Sequence, residues 1–167
     1  MKRALAVLLP LALCATSAFA WAESTVVRWN SIVGVITAPA VDNPIAGIHA
    51  GAGPWSVQHG HARVNLTNGN TTFDVDGLVL NGGNSSGTPG PVTAVTGTLV
   101  CNAGTTTSTI LDTKAVSLST QGDAHFSGQI SGVPATCENP LFLIRIAVPA
   151  GAAGRWIATA GERHIED

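Results

Sequence analysis

Histidine offers this 167-residue chain its broadest chemistry, and three of its five histidines fall in a suggestive pattern. His59 and His61 are two residues apart, so on an extended strand their side chains leave the same face. His125 lies on the polar side of a second alternating segment, where Ala124, Phe126, Gly128 and Ile130 take the other side. If those two strands were neighbours, three imidazoles would converge on a copper or zinc ion. Arg63 continues the face of His59 and His61, and its cation disfavours a metal ion close by. An ordinary solvated strand face is the plainer reading of the same residues.

Other chemistries find weaker footing. Asp74, Asp76 and Asp123 are carboxylates of the kind calcium prefers, but Asp74-Val75-Asp76-Gly77 does not continue into a calcium loop with its closing acid. Asp76 before Gly77 and Asp123 after Gly122 read better as turn residues that bond nearby backbone. Gly83-Asn84-Ser85-Ser86-Gly87 spells the letters of the hydrolase elbow but leads into no helix, so it lacks the strand-turn-helix setting that exposes the serine. The phosphate-cradling P-loop, the dinucleotide glycine fingerprint and the two-histidine metalloprotease motif are missing from the sequence. Gly82 to Gly87 is glycine-rich but leads into no helix, so it lacks the helix N-terminus that favours phosphate. No pair of acids stands out for glycosidase work. Among the aromatic rings, Trp55 follows the turn Gly51-Ala52-Gly53-Pro54 and is the one expected to be exposed for ligand contact.

The elements that would position these groups are strands. His61 to Leu80 is the clearest: HARVNL alternates, Asn68-Gly69 turns the chain, and TTFDVDG alternates again, a hairpin with one buried face. Leu78 and Leu80 fall out of phase with Phe73 and Val75, which suggests a bulge at Asp76-Gly77. Further strands are expected over 26–36, 55–66, 92–101, within 105–118, and over 124–131, 141–148 and 155–160, with a short edge strand over 45–49. The residues 81–91 form a flexible glycine-rich loop. About eight or nine strands and no helical periodicity predict an all-β, antiparallel β-sandwich, Ig-like or jelly-roll-like, with one disulfide.

The ends and the cysteines place the domain. Lys2 and Arg3, the apolar run Ala4 to Leu13 and the small residues after it read as a secretory signal over 1–22, cut after Ala20 or Ala22. Leu13 before Cys14 argues against a lipid-modified cysteine. The apolar run is too short to span a bilayer, and no transmembrane segment follows it. Removal of the signal leaves Cys101 and Cys137, which in an exported chain predict a disulfide rather than a redox or metal pair. A single domain is expected over 23–160, with 161–167 as a flexible polar C-terminal tail. The compact Lys-Arg leader points to bacterial export, so Asn65-Leu66-Thr67, Asn70-Thr71-Thr72 and Asn84-Ser85-Ser86 read as ordinary polar residues rather than glycosylation sites.

The formal charge is −2, and loss of Lys2 and Arg3 makes the chain more acidic. With no basic run it has no electrostatic footprint for nucleic acid. The expectation is a secreted or periplasmic, non-catalytic binding or structural module for a protein or glycan partner. The alternatives are an exported copper or zinc protein using His59, His61 and His125, and a small secreted hydrolase. No cofactor is expected beyond that metal reading.

Overall fold

The computed structural model describes residues 25–37, 41–148 and 152–166. The expected signal over 1–22, its two expected cleavage positions and Cys14 lie outside these residues.

The hairpin forms as its alternation dictates. β3 (His59–Asn65) pairs antiparallel with β4 (Asn70–Asp76) in the register Val64↔Thr71 to His59↔Asp76. Ala62, Val64, Phe73 and Val75 are buried on one face. The turn is built by Asn65, whose Oδ1 accepts the Thr67 and Asn68 amides at 2.9 and 3.2 Å, and whose carbonyl accepts the Gly69 amide at 2.7 Å. Gly69 has a φ of 75°, and a Cβ there would fall 2.0 Å from the Ile130 carbonyl oxygen. Only glycine combines that backbone with that close approach.

The other strands are β1 (Val26–Gly34), β2 (Trp55–Ser56), β5 (Val79–Leu80), β6 (Ala94–Cys101), β7 (Thr109–Asp112), β8 (Val116–Ser117), β9 (Ala124–Gln129), β10 (Leu141–Ala147) and β11 (Ala153–Glu166). Nine of the eleven form one antiparallel sheet in the order β7-β6-β10-β11-β1-β3-β4-β9, with β8 also paired to β6. β2 and β5 make a separate two-stranded ribbon. The chain is therefore all-β and antiparallel, as its patterning predicts, in the form of one sheet curled around its own apolar face.

Rings from distant strands meet inside that curl. Phe142 of β10 lies 5.7 Å from Trp29 of β1 and 5.8 Å from Phe73 of β4, and Phe73 stacks on Phe126 of β9 at 5.7 Å. Burial of each such ring contributes about 1.5–3 kcal/mol relative to exposure. Gly97 of β6 makes room for them: a Cβ there would stand 2.7 Å from both the Phe142 and Phe73 rings. The Cys101–Cys137 disulfide, spanning 36 residues, ties the end of β6 to the loop after β9. Beside it, the Asn102 amide donates to the Glu138 carbonyl at 2.7 Å and the Glu138 amide to Asn102 Oδ1 at 2.9 Å.

The structure departs from the sequence expectation in several places. Trp55 is buried, only 4 % exposed, because its strand pairs with β5 and its amide donates to the Val35 carbonyl at 2.8 Å. Residues 161–166 are not a tail but the second half of β11, paired with β1 from Ser31↔Gly161 to Val26↔Glu166. Their polar side chains hid a strand held by backbone pairing. Asp76-Gly77 is a strand end rather than a bulge: after Gly77, at φ 64°, the chain leaves β4 and pairs with β2 instead. The stretch 45–49 is a turn closed by reciprocal Ile45 and Ile48 backbone bonds, with Ala46 and Gly47 at φ 49° and 77°. The 105–118 stretch holds two strands, parted where Thr113 turns in and accepts the Gly97 amide on its Oγ1 at 3.0 Å.

Among the described residues no helix is long and apolar enough to cross a membrane.

Candidate functional site

The strand order decides which outward-facing side chains meet. Adjacent strands are about 4.8 Å apart, so residues opposite one another across a ladder are neighbours. On the outer face the pairings put His164 of β11 opposite Arg28 of β1, and Arg28 opposite Arg63 of β3. Arg63 stands opposite Thr72 of β4, and Thr72 opposite Ser127 of β9. One row thus crosses five strands with three basic residues followed by two hydroxyls.

The next row holds His61, Asp74 and His125. His125 Nδ1 donates to Asp74 Oδ1 at 2.5 Å, and His61 Nε2 lies 3.2 Å from Asp74 Oδ2. His59 faces Asp76 one row further along. The three expected histidines therefore share one face, but they do not converge. His61 and His125 flank a carboxylate on the strand between them, and His59 is displaced. Among the described residues no group of three or more His, Cys, Asp or Glu is arranged to hold a metal ion.

Two shallow grooves run over this face. One is lined by Arg28, Asn30, His61, Arg63 and Thr72. The other is lined by Arg63, Asn70, Thr72, Ser127 and Gln129. They share Arg63 and Thr72, so the arginine stands where they join. Its charge is not neutralised locally. Arg28 has Glu166 at 2.8 Å, whereas among the described residues Arg63 has no acid within ion-pair distance and its Nε is buried without a hydrogen-bond partner.

A second polar cluster lies elsewhere, on the loop before β2. His49 Nδ1 hydrogen-bonds Asp42 Oδ2, and Ala50 N–H donates to Asp42 Oδ1 at 3.3 Å. The His49 hydrogen bond holds the Asp42 carboxyl below its ordinary value, with the Ala50 amide adding to the effect. Arg155 donates to the Ala50 carbonyl at 2.7 Å, and the Trp156 indole donates to the Asn43 carbonyl at 3.0 Å. These contacts use the polar groups to fasten the loop onto β11. Asp123 is likewise spent in its turn, accepting from the Gly77 amide at 3.0 Å and from the Ser119 hydroxyl at 3.1 Å.

Sequence reasoning found the histidines and noticed Arg63, but it missed Arg28, Thr72, Ser127 and His164 as members of the site. Alternation assigns each to an outward face; only the order β11-β1-β3-β4-β9 puts those faces side by side. No protein-family model matches this chain, nor does any curated protein or solved structure.

Proposed function

We propose that the chain is an exported, non-catalytic binding module, secreted or periplasmic, whose recognition surface is the outer face of β1, β3, β4 and β9. The observation that carries this reading is the junction of two polar grooves at Arg63 and Thr72. Guanidinium, hydroxyl and amide groups project there from strands of one continuous sheet, so the surface is organised before a ligand arrives. The carboxylate on this face, Asp74, is engaged by His61 and His125, an arrangement that fixes side chains rather than freeing a base.

The test is a saccharide and peptide binding panel on the processed, oxidised protein, repeated with a Thr72→Ala/Ser127→Ala variant and with Ile110→Ser on β7. Loss of affinity by about ten-fold or more in the first variant alone supports the surface. Loss in the β7 variant alone contradicts it.

A second reading, an exported copper or zinc protein, draws on the neighbouring row of the same face. His61, Asp74 and His125 are the groups that would reach a metal ion, with His59 one row away. It requires both imidazoles to turn from the carboxylate they now contact.

A further inference from the structure

The basic row poses an electrostatic problem within the protein itself. Like charges directly opposite on neighbouring strands are destabilising, and Arg28 and Arg63 are such a pair. Glu166 offsets Arg28. Arg63 has no such relief among the described residues, and its Nε–H is desolvated without an acceptor. A buried, unsatisfied donor on a charged group costs more than an ordinary lost hydrogen bond. Thr96 Oγ1 is also buried and unpartnered, but it is a neutral hydroxyl on β6 that lines neither groove.

The Arg63 guanidinium charge, unpaired among the described residues, calls for a negatively charged acceptor. Guanidinium presents paired N–H groups that match the two oxygens of a carboxylate, sulfate or phosphate. Arg63 lines both grooves, so an anion bound in either would stand against its side chain. Thr72 and Ser127 continue the row with hydroxyls, and Asn30, Asn70 and Gln129 line the two grooves with amides. The carboxylate nearest in the pattern, Asp74, has an imidazole on each side. Hydroxyl and amide groups flanking a cation suit a ligand rich in hydroxyls and carrying an anionic group.

We infer that Arg63, with Arg28, Thr72 and Ser127 around it, is an oxyanion site whose ligand is an acidic saccharide, a sugar bearing a carboxylate, sulfate or phosphate. This rests on the recognition surface proposed above and names what that surface takes.

The experiment compares glucose, glucuronate, glucose 6-sulfate, glucose 6-phosphate and a tetraglutamate peptide by calorimetric titration at low ionic strength. The proteins are wild type, Arg63→Gln, Arg63→Lys and Thr72→Ala/Ser127→Ala, each checked for fold by circular dichroism and for the intact disulfide. At least one acidic sugar is expected to bind about ten-fold or more tighter than glucose. Arg63→Gln should abolish that preference and Arg63→Lys should retain part of it, because a point charge replaces the two-pronged contact. The identity of the tightest acidic sugar tells carboxylate from sulfate from phosphate. Equal binding of glucose and the acidic sugars, lost in Thr72→Ala/Ser127→Ala, overturns the oxyanion site and leaves the surface standing. Binding unchanged in every variant overturns both. Tetraglutamate binding tighter than every acidic sugar, or no binding by any of them, overturns the saccharide assignment.

Discussion

Arg28 and Arg63 face each other across the β1–β3 ladder, and Glu166 sits 2.8 Å from the first of them. The pair is asymmetric in a way that stability can report. Arg63→Gln removes a repulsion and a desolvated charge, so it should stabilise the ligand-free protein by about 0.2–1 kcal/mol at low ionic strength. Arg28→Gln removes the Glu166 contact along with the repulsion and should give no such gain. Urea unfolding of both variants at low and high salt checks this, with the Arg63→Gln gain shrinking as salt screens the pair. An Arg63→Gln protein less stable than wild type would show that its stem packing outweighs its charge.

Gly97 and Phe142 test the curl of the sheet. Phe142 is fully buried between Trp29 and Phe73, so Phe142→Ala should cost about 3–5 kcal/mol. Gly97→Ala adds one methyl where both rings already stand 2.7 Å away, and overpacking of that kind costs about 1–3 kcal/mol. Thermal or urea denaturation measures both. A neutral Gly97→Ala would mean that β6 and the two rings stand further apart than 2.7 Å at the added methyl.

The Cys101–Cys137 bridge closes a 36-residue loop, and the chain-entropy model assigns it about 3–4 kcal/mol. The double Cys→Ala variant should lose about that much. In a domain of this size the change corresponds to roughly 10 °C in Tm. Reduction of the wild type should reproduce the loss.

These predictions separate what was legible in the residues from what was not. The β3–β4 hairpin was legible because alternation and turn chemistry agree over a short span. The cysteine pairing is legible because Cys101 and Cys137 are the two cysteines outside the expected leader. Trp55 is buried against expectation because a ring after a Gly-Pro turn gives no local sign that β5 will cover it. The second half of β11 was missed for the opposite reason: polar residues with few apolar partners form a strand there because β1 supplies the hydrogen bonds. The site was half visible. His59, His61 and Arg63 share a face by periodicity alone, but the rows that join them to Arg28, Thr72 and Ser127 depend on strand order, which is set by contacts between residues far apart in sequence.

Asp42 gives a pH prediction. A carboxyl held low by its His49 hydrogen bond gives up its proton more readily in the folded than in the unfolded chain. Its contribution is therefore present above the ordinary value of 3.8 and is lost as pH falls through the lower folded value. Amide exchange at Ala50, whose N–H donates to Asp42, should accelerate in that acid range relative to the global rate. Asp42→Asn should abolish the acid step, and a step unchanged in Asp42→Asn would assign it to another group.

The metal reading makes its own prediction. If His61, Asp74 and His125 take copper or zinc, titration should show a single site that weakens by about ten-fold or more in His61→Ala and in His125→Ala. His59→Ala should have a smaller effect. Equal affinity in all three variants removes the reading.

Amide chemical-shift mapping of the isotopically labelled, oxidised protein during glucuronate titration tests the central claim most directly. If the outer face of β1, β3, β4 and β9 is the recognition surface, the shifts should cluster at Asn30, Arg63, Thr72 and Ser127 and vanish in Arg63→Gln. Shifts centred on Asp42, His49 and Arg155, and indifferent to Arg63, would move the binding surface to the loop docked on β11 and contradict it.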